Sequence, residues 1–180
     1  MKIQFTEYRK DVISALTAIS PESISQAASL IKRAKAQNAM IYIVGNGGSA
    51  ATASHFANDL LKVGGVRAFS LPDMIPTLLA YGNDEGWENM FSHALKRLLL
   101  PQDVVIGISC SGFSSNVVNA VELAKTINLP SIKTLVMTGN TWDTPLTKLN
   151  PDVTIHVPFA DIRVQEDCHL VVCHAIVGMI

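Results

Sequence analysis

The chain has 180 residues, 48% of them hydrophobic and 16% charged, with a formal net charge of −1. That length suits a single globular domain with a sizeable core, and the near-neutral balance argues against a basic nucleic-acid binder or a partner of anionic membranes. No apolar run reaches the roughly 18–20 residues that cross a bilayer, the opening MKIQFTEYRKDV lacks a signal-peptide core, and Cys110, Cys168 and Cys173 have no zinc-finger or CxxC spacing, so the expectation is a soluble cytoplasmic protein with free thiols.

The first segment, KIQFTEYRKDVISALTAIS, carries apolar residues at helical spacing (Phe5, Val12, Ile13, Leu16, Ile19). A second helix follows in SPESISQAASLIKRAKAQN, with Ser20 as N-cap, Pro21 in the first turn and Glu22 beside it. No strand lies between them. Residues 1–38 therefore read as a helical extension used in packing or oligomerisation, ahead of a core over 39–180.

From there strands and helices alternate. AMIYIVG reads as a buried strand, followed by a Gly-rich loop and a helix. RAFSL is a short strand, and MIPTLLAYG and GWENMFSHALKRLLL are helical. DVVIGIS is a strand, SGFSSNVVNAVELAKTIN a loop and helix, IKTLVMTG and DVTIHVP the last two strands, and ADIRVQEDCHLVVCHAIVGMI a closing helix. Continuous apolar strands separated by helices predict a parallel sheet covered on both faces. The fold class expected is α/β: a three-layer αβα sandwich, flavodoxin-like, with five parallel strands ordered 2-1-3-4-5. Ligands bind such sheets beyond the carboxyl ends of the strands.

Two loops stand at those ends. GNGGSA (45–50) and SCSGFSSN (109–116) each follow a buried strand and precede a helix. Helix starts offer unpaired N–H groups and partial positive charge, glycine lets the backbone approach an anion, and serine adds small donors. Neither is the GxxxxGK[ST] nucleotide loop, and the first lacks GxGxxG spacing. Two such loops lining one crevice suit a phosphate. Behind the first loop, His55 and Asp59 stand at i, i+4 on one helical face. The last helix carries Gln165, Glu166, Asp167, His169 and His174.

GNGGSAATASHFANDL, GNDEGWENMF, GISCSGFSSNVVNA and QEDCHLVVCHAI together resemble the SIS (sugar isomerase) domain family, and within it the phosphoheptose isomerase branch. The resemblance spans nearly the whole chain. It implies that Asn46, Gly47, Gly48 and Ser49, with Ser109, Cys110, Ser111 and Ser114, hold a sugar phosphate, and that Asn83 and Asp84 contact the sugar, with Asp161 a further aspartate of that kind. It also implies one zinc ion per subunit on His55, Asp59, Glu166 and His174, with Asp59 and His174 as the acid–base pair. Glu166 lies eight positions before His174, as the family's glutamine or glutamate does. Gln165 remains an alternative, or a substrate contact. On one straight helix Glu166 and His174 are ~12 Å apart in rise, so sharing a ligand requires Glu166 to bend back.

Two departures from the family bear on activity: aspartate at 59 where glutamate is usual, and Cys110 where threonine is usual. The resemblance implies a homotetramer that isomerises sedoheptulose 7-phosphate through an enediol. Other readings are a non-catalytic SIS module binding a phosphosugar or a protein, and an isomerase of another phosphosugar.

Overall fold

The computed structural model describes residues 4–180; the first three residues of the expected helical extension lie outside that span. Two helices lead, α1 (Phe5–Ala18) and α2 (Pro21–Ala36). Ser20 caps α2 as expected, its hydroxyl accepting the Ser23 amide at 3.4 Å. The alternating core then runs β1 (Ile41–Gly45), α3 (Gly48–Lys62), β2 (Ala68–Ser70), α4 (Ile75–Glu85), α5 (Met90–Leu98), β3 (Val104–Ser109), α6 (Ser115–Thr126), β4 (Lys133–Gly139), α7 (Pro145–Lys148), β5 (Val153–Val157) and α8 (Ile162–Gly178).

All four strand pairings are parallel and the sheet order is β2-β1-β3-β4-β5. This is the order expected from the sequence. The period-2 geometry of a strand splits its side chains between two cores. Val104, Ile106 and Ile108 of β3 join a cluster with α1, α2, α3 and α8, through residues such as Ile31, Phe56 and Val172. Val105 faces the other way, into a cluster with Leu71, Phe91, Val117 and Leu146. Each fully buried Leu, Ile or Phe contributes about 1.5–3 kcal/mol relative to exposure, so both layers hold the sheet.

Two local outcomes differ from the sequence reading. The chain between β4 and β5 contains a one-turn helix, α7, fixed by a capping box in which Thr144 and Thr147 satisfy each other's amides. In addition, α4 runs on through Asn83 and Asp84 to Glu85 and stops only at Gly86, whose φ of 89° suits glycine. Asp84 therefore sits in the last turn of α4, where it cannot cap the start of a following helix.

Candidate active site

The carboxyl ends of β1 and β3 each feed a helix start. Gly47, with φ 53° and ψ −123°, occupies the N-cap position of α3 and makes a turn that a side chain would strain. Asn46 and the fully buried Asn116 exchange two amide hydrogen bonds, at 2.8 and 2.9 Å, tying the first loop to the start of α6. The sequence reading did not single out Asn116. The signal was present in an amide at the end of the second serine-rich loop, but its partner lies 70 residues away.

In the second loop three of the four serines are linked. Ser109 Oγ donates to Ser114 Oγ at 3.1 Å, lies 3.5 Å from Ser111 Oγ, and accepts the Gly112 amide at 3.1 Å. Ser114 is the N-cap residue of α6 yet makes no side-chain cap bond, which leaves helix-start donors for a ligand. Asn46, Gly47, Gly48, Ser49, Ser109, Cys110, Ser111 and Ser114 all line one cavity of about 250 Å³, closed on the α8 side by Ile162 and Glu166. The two loops thus share a single crevice.

Cys110 is its floor. The thiol lies 4.0 Å from Ser49 Oγ and 3.8 Å from His169 Nδ1, and burial, assisted by the charge of Glu166, pushes it up to about 11. Burial also lowers His169 to about 4, so that imidazole is neutral at physiological pH. Its Nε2 faces the Thr138 carbonyl at 3.4 Å, which assigns the proton to Nε2 and leaves Nδ1 to accept the Cys110 S–H. Cys110 is a protonated wall residue, not a nucleophile.

The second part of the site lies further along α3. His55 Nε2 stands 3.1 Å from Asp59 Oδ2 and 2.8 Å from His174 Nε2, and His174 Nε2 stands 3.6 Å from the same Asp59 oxygen. Among the described residues this is the group of three whose ligand atoms lie within 4.8 Å of one another. Two imidazole nitrogens and a carboxylate oxygen converging on one point form a donor set suited to a borderline divalent cation such as zinc, with room for a further ligand. The aspartate reaches both imidazoles despite its short side chain. Seven steps along α3 lead from Gly48 to His55, about 10 Å along the axis.

The remaining expected residues fall elsewhere. The Glu166 carboxylate lies over Gly48, where an added Cβ would collide with both of its oxygens, so it belongs to the crevice and not to the His–Asp–His group. The bend required for a shared ligand with His174 is not made. Gln165 is buried, donates from Nε2 to the Phe159 carbonyl and packs on Gly139, turned away from both places. Asn83 reaches the rim of a larger, mainly apolar cavity of about 650 Å³ that adjoins the crevice through Asn46 and Gly47. Asp84 is exposed and accepts from Asn83 Nδ2 at 2.7 Å. Asp161 caps α8 through the Arg163 amide and pairs with the Arg163 guanidinium. Asp167 accepts the Tyr8 hydroxyl at 2.8 Å and anchors α1.

The model of the SIS domain matches residues 4–135. The chain belongs to the SIS domain family. A phosphoheptose isomerase of Helicobacter pylori is 34% identical over 179 residues, covering 97% of this chain and 90% of the relative. One from Geotalea daltonii is 34% identical over 186 residues, covering 100% of this chain and 93% of that protein. Among solved structures, phosphoheptose isomerase from Neisseria gonorrhoeae superposes with a TM-score of 0.86 at 30% identity, covering 97% of this chain and 92% of that one. The length aligned with the second relative takes in the whole of this SIS chain, α8 included.

Proposed function

We propose that this protein is an aldose–ketose isomerase that converts sedoheptulose 7-phosphate to D-glycero-D-manno-heptose 7-phosphate, for heptose-containing polysaccharide. The observation that carries this reading is that one helix, α3, has a crevice at its first turn and, further along, His55 and Asp59, which meet His174 of α8. A phosphate held at one end fixes where the reacting carbons lie at the other.

The crevice binds the phosphate through Ser49, Ser109, Ser111 and Ser114 and the helix-start amides. Asp59 takes a proton from carbon 1 while the oxygen on carbon 2 gains one, giving the enediol. Return of a proton to carbon 2 and loss of the one on the carbon 1 oxygen gives the aldehyde. His174 serves as the partner acid, so that one group accepts a proton while the other supplies one. Asp59 Oδ2 faces the imidazoles while Oδ1 accepts from Asn58 Nδ2 at 3.2 Å, so the two oxygens are differently engaged. His55, Asp59 and His174 would hold a zinc ion, which would polarise the carbonyl and stabilise the enediolate.

The protein works in the cytoplasm as a homotetramer. Phe5 and Ile13 of α1, and Leu79 and Trp87 near the larger cavity, are exposed apolar side chains that subunit contacts would cover. Among the described residues no helix is long and apolar enough to cross a membrane.

The test is turnover of sedoheptulose 7-phosphate by purified protein, with and without added zinc, alongside its mass in solution. Aldoheptose phosphate formed in a zinc-dependent way by a tetramer is the expected result. Binding of the sugar phosphate with no turnover under either condition would replace the enzyme with a binding module.

A further inference from the structure

The crevice that the reading above assigns to phosphate contains one charged lining residue, and it is negative. Its walls are amides, hydroxyls, a neutral thiol, Ile108, Ile162 and Glu166, with no lysine or arginine among them. The Glu166 carboxylate lies against Gly48, the first residue of α3. That is where a helix offers its positive end to an anion. Glu166 also feels the floor, since its charge helps to raise the Cys110 thiol.

We propose that Glu166 is the internal occupant of this seat, a carboxylate gate that an incoming phosphate has to displace. The inference rests on the phosphate reading of the crevice and adds a specificity-determining residue to it. Two anions at the head of one helix repel in a space partly shielded from water, so phosphate binds only when the Glu166 side chain turns away from Gly48. A small free anion gains nothing beyond the crevice to offset that rearrangement. A sugar phosphate also reaches toward the His55–Asp59–His174 group along α3 and gains contacts there. Glu166 therefore lowers the affinity for phosphate alone and leaves occupancy to ligands that span both ends of the site.

The experiment is calorimetric titration of the full chain with inorganic phosphate, at low and high salt, for wild type, Glu166→Gln and Glu166→Ala. Glu166→Gln keeps the shape and removes the charge; Glu166→Ala removes the whole occupant. Both are expected to bind phosphate at least tenfold more tightly than wild type, with the gain shrinking as salt rises. Glu122→Gln, which removes the same charge two turns along α6 from the crevice, is expected to match wild type. Equal or weaker binding by both Glu166 variants overturns the gate and leaves the phosphate seat standing. An equal gain from Glu122→Gln also overturns it, since net charge would then be the cause. No phosphate binding by wild type or either Glu166 variant overturns the seat, and the gate with it.

Discussion

The two edges of the sheet treat their polar groups differently. At the amino edge, buried Asp103 accepts the Met40 amide with one oxygen and the Leu100 amide with the other, each at 2.8 Å. Asp152 there accepts from Lys133 Nζ at 2.8 Å and from the Thr134 amide at 2.9 Å. At the carboxyl edge, Thr138 Oγ1, His156 Nδ1 and Gln165 Oε1 are buried without a protein partner. Thr138 and His156 are cross-strand neighbours, and Gln165 packs on Gly139 at the end of the same strand. An unmade hydrogen bond of this kind costs about 1–3 kcal/mol. The chain closes its own hydrogen bonds at the amino edge and leaves three buried polar atoms unpaired at the carboxyl edge, beside the crevice and not in its lining.

That contrast can be broken from either side. The largest effect is expected from His174→Ala, which should reduce isomerase turnover by about 10³-fold. Because the imidazole is half-exposed, the melting temperature should move by no more than about 2 °C. A large loss of stability would mean that the histidine is a packing residue. Asp103→Ala should do the reverse. Two partly buried amides lose a charged acceptor, costing about 3 kcal/mol in urea unfolding, while turnover per folded molecule stays within about twofold. A changed KM would show that the two edges are coupled. Asp59→Glu comes next. Asp59 Oδ2 already reaches both imidazoles, at 3.1 and 3.6 Å, so an added methylene displaces it and turnover should fall by about 100-fold. A faster variant would show that aspartate is the misplaced residue.

The sheet was legible because its strands are continuous apolar runs set between helices, and that pattern leaves little choice of order or direction. The two loops were legible for the same reason, since they fill the gap between a strand end and a helix start. The His55–Asp59 pair followed from helical spacing alone. Contacts between segments distant in the chain were not legible. The Cys110–His169 pair spans 59 residues and the Asn46–Asn116 pair 70, and nothing local marks either partner. Residues 165 and 166 could be separated only by the direction in which α8 faces the sheet. That direction sends Gln165 into the core and Glu166 over Gly48. The end of α4 was missed because Gly86 stops the helix after Asp84, whereas the sequence suggested a break before it.

The smallest effect sharpens the amino-edge side of the comparison. Partial burial by itself would raise the Asp152 carboxyl, but the hydrogen bonds from Lys133 and the Thr134 amide outweigh it, and the net shift is downward from 3.8. A group whose folded pKa is depressed stabilises the protein above its unfolded pKa and loses that contribution as pH falls through the folded value. The urea midpoint of wild type should therefore be steady from pH 7 to about pH 5 as far as this group is concerned, and fall below about pH 4. Asp152→Asn keeps one acceptor for the Thr134 amide and cannot titrate, so its midpoint should start lower at neutral pH and converge with wild type in acid. The Lys133 ammonium is half-exposed, which limits the ion-pair part to about 1 kcal/mol or less. Parallel pH profiles for the two proteins would mean that the Asp152 charge contributes nothing, and that the amide bonds alone hold β4 to the start of β5.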